Sequence, residues 1–263
     1  MTIPDTALTL SDTRTRFGCM PDLETRARAL LDLHRAPEIL VLANVWDVVS
    51  AKVVAGVDGV RALATASHSI AATFGYEDGE NIPLDLHLDM VGRIVAAVDL
   101  PVTMDFEAGY GDAGETARRA IAAGVVGGED GLDGGRDVGI DFVLNARTDV
   151  FARAPRGADR GPLVEEAIRR GRAFLEVGAP VVFVPGAILR DEIVALVDAL
   201  GPQKLSVIAV PKHSLPVSEL QALGVARVST GPFTQRVALT ALQDAVAAVV
   251  GGGTLPEGTR SLN

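Results

Sequence analysis

Eight short apolar runs, spaced by helical patterns, constrain this chain more than any other feature. The runs are Ile39–Val45, Val60–Thr65, Pro101–Phe106, Val125–Glu129, Phe142–Ala146, Val181–Val184, Ser206–Val210 and Ala226–Ser229, nearly continuous in Val, Ile, Leu and Ala. A strand covered on both faces has no polar side to show, so it reads as a run and not as an alternation. Helical patterns fall between most of them, at Val48–Ala55, Leu84–Ala97, Gly114–Ala123, Pro162–Val177, Arg190–Leu200, Pro216–Leu223 and Phe233–Val249. Strict strand–helix alternation predicts a parallel sheet, and eight repeats predict a closed (β/α)8 TIM-type barrel. One such barrel uses about 250 residues, so the 263 residues are expected to form a single domain. A helix at Asp22–His34 precedes the first strand, and the Gly251–Gly253 run with Pro256 reads as the start of a flexible tail over 251–263.

Punctuation agrees with these elements. Gly56, Gly124, Gly178 and Gly224 fall just past helix ends, and Asp112 and Ser218 stand where N-terminal caps or first-turn acids belong. In EEAIRRGRAFLEVG the acids precede the arginines, which suits i,i+4 pairing. His34 and His87 read as surface residues, and Lys212, between Pro211 and His213, as a loop residue.

One interval breaks the pattern. Only GLDGGRDVGI separates Asp130 from Asp141, whereas adjacent parallel strands need a crossover of about a dozen residues or more, usually a helix. The crossover after the fourth strand is therefore expected to be shortened or to lack its helix.

Composition excludes several classes of function. The 34 acidic residues exceed the 24 basic ones, giving a formal charge of −10, and no basic run offsets this, so nucleic acid is not an expected partner. A single cysteine, Cys19, excludes an intramolecular disulfide and a Cys-rich zinc site. The first residues show no apolar signal-peptide core, and Val237–Val250 is interrupted by Gln243 and Asp244, so a cytoplasmic protein without a membrane span is expected.

In a barrel of this kind the chemistry sits at the carboxyl ends of the strands. The third strand ends in TMDFEAGYGD, placing Asp105 and Glu107 two residues apart and on one side. The fourth ends in Glu129, the fifth in NARTD with Arg147 and Asp149, and the second in Ser67 and His68, with Asp78 in the loop beyond. Carboxylates converging on one opening repel one another unless a cation sits among them, and an oxygen-only set favours a hard ion, Mg2+ or Mn2+. Asp105 is the expected direct ligand, with Glu107 and Glu129 on its water molecules. Arg147 is placed to clamp a carboxylate, and the amides around Ser67 and His68 to meet an enolate or carboxylate oxygen. Tyr110, between Gly109 and Gly111, is expected to turn its ring or amide towards the site. Asp112, Asp130 and Asp149 read equally well as site acids or as helix caps and surface residues.

The stretches DFEAGYG, GGED and NARTD, taken in order, resemble the isocitrate lyase and phosphoenolpyruvate mutase superfamily, and more narrowly its phosphonomutase-like (carboxyphosphonate mutase-like) branch. LANVWDVVSAKVVAG, ALATASHSIAATFGYEDGE, VFVPGA and LGVARVSTGP extend the likeness over about residues 28–231. The resemblance implies an α/β barrel, Mg2+ dependence and small 2-oxo or 2-hydroxy carboxylate substrates that pass through an enolate. It implies Asp105 as the metal-coordinating acid, with Asp78, Glu107 and Glu129 around its waters. Arg147, Ser67, His68 and Trp46 are then the substrate-binding residues, and Arg147, Glu129 and His68 the catalytic candidates. It further implies a homo-oligomer, dimer or tetramer, with the last helix exchanged between neighbours.

Two departures narrow the activity. The KKCGH lid of isocitrate and methylisocitrate lyases has no counterpart, so neither activity is expected. The lid lysine and asparagine of the phosphonate-handling members are also absent, because GLDGGRDVG occupies their place. Lids keep intermediates dry, and an open enolate fits a Mg-dependent C–C lyase better than phosphoryl migration. Phosphonopyruvate-type P–C chemistry, and a catalytically impaired barrel that only binds metal and oxo-acid, are the alternatives.

Overall fold

A computed structural model describes residues 23–129 and 139–262. In chain order the elements are α1 (Leu23–Arg35), β1 (Leu40–Val45), α2 (Val48–Ala55), β2 (Leu63–Thr65), α3 (Ser67–Thr73), α4 (Leu84–Ala96), β3 (Val102–Met104), α5 (Ala113–Ala122), β4 (Gly127–Gly128), β5 (Val143–Arg147), α6 (Arg160–Glu176), β6 (Val181–Phe183), α7 (Arg190–Leu200), β7 (Leu205–Ile208), α8 (Val217–Ala222), β8 (Arg227–Ser229) and α9 (Phe233–Val250). The eight strands form a closed parallel barrel in the order β1 to β8. It closes where Leu40, Val41 and Leu42 of β1 pair with Arg227, Val228 and Ser229 of β8. The expected fold class holds.

All eight expected strands are present; all but β5, which keeps its length and starts one residue later, are shorter than the apolar runs. Pro101, for example, lies outside β3 yet accepts the Leu63 N–H at 2.9 Å. β4 is the extreme case, with two glycines pairing against Thr103 and Met104 on one side and Val143 and Leu144 on the other. Close packing demands glycine there. A Cβ on Gly128 would stand 2.0 Å from the Phe106 ring, and one on Gly127 would stand 2.8 Å from Leu30 and 2.9 Å from the Val143 carbonyl.

The Leu30 contact locates α1, whose Ala27, Leu30 and Leu33 join Leu40, Leu42, Val126 and Val143 in one buried cluster. Asp112 caps α5 by accepting the Glu115 N–H at 2.9 Å, as expected. Ser218 does not cap α8, because Pro216 holds that position and the helix starts one residue later. Arg169 and Arg170 both reach Glu166 at 2.7 Å on exposed α6, a pairing worth only a few tenths of a kcal/mol. Helix α3 was not anticipated: SHSIAAT is short and its cap, Ala66, offers no side-chain hydrogen bond. Among the described residues no helix is long and apolar enough to cross a membrane. The expectation of a crossover without its helix falls on residues 130–138, outside the described ones, as does Cys19.

Candidate active site

The carboxyl ends of the strands open on a cavity of about 360 Å3. Six carboxylates line it (Asp78, Glu80, Asp105, Glu107, Glu129 and Asp149) against three guanidinium groups, Arg147, Arg153 and Arg227. Asp105 follows β3 directly. Its Oδ2 accepts the Ser67 hydroxyl at 2.7 Å and, more weakly, the Ser67 N–H at 3.4 Å, and its Oδ1 accepts the Glu107 N–H at 3.1 Å. The N-terminus of α3 is thus tied to the metal-candidate carboxylate.

Arg147, at the end of β5, reaches across the opening. Its Nη1 donates to Glu129 at 2.9 Å, its Nε donates to Asp149 at 2.6 Å, and Nη1 stands 3.9 Å from Asp105. The guanidinium also lies over the Phe183 ring, 5.9 Å from its centroid. Burial pulls its pKa down, but the charges of Glu129 and Asp105 outweigh burial and raise it. Burial pushes the Glu129 carboxyl up to about 8, with the Asp105 charge adding to it and Arg147 opposing. The cavity therefore holds more negative charge than its arginines neutralise, and a divalent cation beside Asp105 would relieve it. Among the described residues no three His, Cys, Asp or Glu groups stand ready to hold an ion together. The donors that face Asp105 are oxygens, the chemistry that a hard cation prefers.

Glu107 lines the cavity with Asp105 and is also bound to the backbone of the neighbouring loop. Its Oε2 accepts the N–H groups of Gly79 and Glu80, and its Oε1 accepts the Tyr110 hydroxyl at 3.0 Å. Glu80 reciprocates by accepting the N–H groups of Ala108 (3.1 Å) and Tyr110 (2.6 Å). Two loops, one after α3 and one after β3, are clasped by this exchange. The clasp holds Glu80, Glu107 and Tyr110 at φ of 61°, 56° and 53°, a left-handed backbone that costs non-glycine residues of the order of 1 kcal/mol each. Charge-assisted hydrogen bonds offset that strain. Burial raises the pKa of Glu107 and of Tyr110, the charges of Asp105 and Asp78 adding for Glu107 and that of Glu107 adding for Tyr110. Tyr110 hydrogen-bonds with its hydroxyl to His87 Nδ1 at 3.0 Å as well, so its ring is fixed behind the site and does not line the cavity.

The structure brings Ser67, His68, Asp78, Asp105, Glu107, Glu129 and Arg147 to one cavity. His68 lines it, and its Nδ1 is buried without a hydrogen-bond partner. Trp46 does not line it: the ring packs against the core around β1–β3, and Asn44, two residues earlier, faces the cavity instead. Asn44 accepts the N–H groups of Thr230 (2.9 Å) and Gly231 (2.8 Å) and donates to the Thr65 carbonyl (2.7 Å), binding β1 to the ends of β2 and β8. Asp149 is no surface acid, since it holds Arg147. His34 and His87, expected at the surface, are 2% and 0% exposed. Helical spacing carried that signal: His34 follows Leu30 by four residues and His87 precedes Val91 by four, each on its helix's buried face. Asn44, Glu80 and Arg227 were not singled out in the sequence, where a lone polar residue in a strand or loop carries no pattern.

The family model described as phosphoenolpyruvate phosphomutase matches residues 30–132 and 131–250. The chain belongs to the phosphoenolpyruvate phosphomutase family. The two matched pieces meet in the short interval after β4. A Burkholderia cenocepacia J2315 protein described as a candidate phosphonomutase is 36% identical, over 85% of this chain and 99% of that one, with a TM-score of 0.78. An oxaloacetate decarboxylase of Paraburkholderia xenovorans LB400 is 28% identical over 88% of this chain and 84% of its own. An oxaloacetate acetylhydrolase crystallised with its product oxalate shares the fold, with a TM-score of 0.77 at 24% identity, over 91% of this chain and 92% of that one. These relatives of the phosphoenolpyruvate phosphomutase family are enzymes of the lyase and mutase kind, and the expectation of such an enzyme holds.

Proposed function

We propose that this family member is a Mg2+-dependent lyase that breaks a C–C bond in a small 2-oxo or 2-hydroxy carboxylate by way of an enolate. The observation that carries the reading is the juxtaposition, in one cavity, of Asp105 tied to Ser67 and of Arg147 held by Glu129 and Asp149. Mg2+, or Mn2+ in its place, would be held by Asp105, with Asp78, Glu107 and Glu129 around its waters, and supplies the positive charge that a developing enolate needs. The chain's own groups do the rest. Ser67 and His68, at the start of α3, present polar groups to the substrate carboxylate. Arg147 cannot swing away, since Nε and Nη1 are each held by a carboxylate, and its fixed charge orients the anionic substrate.

In an oxaloacetate-like acid the bond to the terminal carboxylate breaks, CO2 leaves, and the electron pair stays on the remaining 2-oxo acid as its enolate, which takes a proton from solvent. The family's lid residues have no counterpart in the short interval after β4, and we propose solvent in their place. The likeness to an oxaloacetate decarboxylase supports this substrate class. The 36% identity to a candidate phosphonomutase favours a second reading, P–C bond chemistry on a phosphonopyruvate-like acid.

Oxaloacetate and phosphonopyruvate assayed side by side with Mg2+ separate the two. Turnover of oxaloacetate that vanishes on chelation and in Asp105→Ala is the expected result. Turnover of phosphonopyruvate alone would establish the second reading. Mg2+-dependent oxalate binding without any turnover would mean a binding barrel and end both.

A further inference from the structure

Arg227 begins β8 with its side chain inside the barrel, 3% exposed and lining the cavity. Its Nε and Nη1 are buried without a hydrogen-bond partner. A buried guanidinium with unspent donors is costly, by several kcal/mol where nothing pairs with it. The other arginines of the cavity are committed. Arg147 spends Nε and Nη1 on Asp149 and Glu129, and Arg153 sits mostly exposed at the rim, 3.6 Å from Asp149. Glu129 and Asp105 act on Arg227 through their charge but form no ion pair with it. Burial draws its pKa down to about 10, against the pull of those two carboxylates, so it stays charged at neutral pH. Ser206, opposite Arg227 in the β7–β8 register, also has a buried hydroxyl with no partner. A planar guanidinium edge beside a hydroxyl matches the oxygens of a carboxylate.

We infer that Arg227 is a second anion-binding point on the floor of the cavity, selecting substrates that carry a carboxylate at the end remote from Asp105. The inference rests on the lyase reading for the placement of the other end, and it narrows the substrate from oxo-acids in general to oxo-diacids. One end of the diacid lies by Asp105 and Ser67, and the other completes the hydrogen bonding of Arg227. A cavity of about 360 Å3 has room for a diacid of four or five carbons.

The test reads binding, not turnover, by calorimetry on the full chain with Mg2+. Two probes are used: oxalate, which reaches only the Asp105 end, and 3,3-difluorooxaloacetate, a diacid. Arg227→Met is expected to weaken the difluoro diacid about thirtyfold or more, the loss of a charged hydrogen-bonded pair, and to leave oxalate within about threefold. Arg227→Lys, with charge but no fork, is expected to fall between. Equal weakening of both probes would assign Arg227 a field or structural role and overturn the inference, as would no change in either or no binding of the diacid by the wild type. Where Arg227→Met does not fold, the wild-type protein decides: its Arg227 Nε resonance shifts with the diacid and not with oxalate, and an unmoved resonance overturns the inference. Diacid binding that depends on Arg227 in a protein that cleaves nothing would sink the lyase reading alone.

Discussion

At the side chain of His34, burial and charge act in the same direction. The ring is nearly inaccessible, its Nδ1–H donates to the Leu30 carbonyl at 2.8 Å, and its Nε2 has no partner. Burial, with the Arg227 charge adding to it, pushes the imidazole down to about 3. Above pH 6.5 folded and unfolded chains both hold it neutral. Below that, the unfolded chain takes a proton that the folded one refuses, so stability falls as pH drops from 6.5 towards 3. By pH 5 the loss is about 2 kcal/mol for this one residue. His34→Gln, which keeps a donor for Leu30, is expected to shrink the fall in unfolding free energy between pH 7 and pH 5 by about that amount in urea titrations. Identical falls in variant and wild type would refute it. Glu129 runs the other way, its raised carboxyl gaining stability as pH drops below about 8, so the variant comparison is the informative one. His34 and Arg227 show what a sequence conceals at this scale. Asp105 and Arg147 were legible because a strand end fixes where a side chain goes. The burial of His34 and Arg227 depends on what the far side of the barrel supplies.

Elements were legible where one physical cause produced one pattern. Strands buried on both faces gave unbroken apolar runs, and helices with a buried stripe gave their period, so Arg190–Leu200 and Val48–Ala55 have the expected bounds. β4 and α3 resisted: one is two glycines held by Phe106 and Leu30, the other seven residues with no side-chain cap. Neither has enough residues for a period to show. The loop clasp was equally hidden, because it depends on two glutamates 27 residues apart each satisfying the other's backbone. It makes a prediction at this scale. Glu80→Gln keeps an acceptor but removes the charge that holds the Ala108 and Tyr110 amides. Hydrogen exchange at Tyr110 is expected to quicken about tenfold, the equivalent of a charged bond becoming a neutral one, while exchange in β6 and β7 stays unchanged. A uniform change across the barrel would mean global destabilisation, and no change at Tyr110 would mean that the clasp does not hold the loop.

At the scale of the whole molecule, α9 is the element that the barrel does not account for. Over its 18 residues only Gln235 is buried, through its donation to the Ser69 carbonyl at 3.1 Å. Val237, Leu239, Leu242, Val246, Val249 and Val250 are all exposed, Val237 at 68% and Val250 at 81%. A helix with this much exposed apolar surface is stable in water when another surface covers it. The resemblance drawn from the sequence implies what that surface would be: a second copy of this chain, whose own last helix would be exchanged in return. Such an exchange would be self-complementary and would close into a dimer, and two dimers into a tetramer. Light scattering is expected to return a mass two or four times that of the chain at micromolar concentration. Leu242→Glu with Val246→Glu places two charges on the face that would be covered and touches no residue of the cavity. The double variant is expected to run at the mass of one chain, to keep its far-ultraviolet dichroism, and to melt earlier than wild type because the assembly no longer holds the helix. A wild-type protein that runs at the mass of one chain would overturn the assembly. A double variant that keeps the wild-type mass would place the contact on another face.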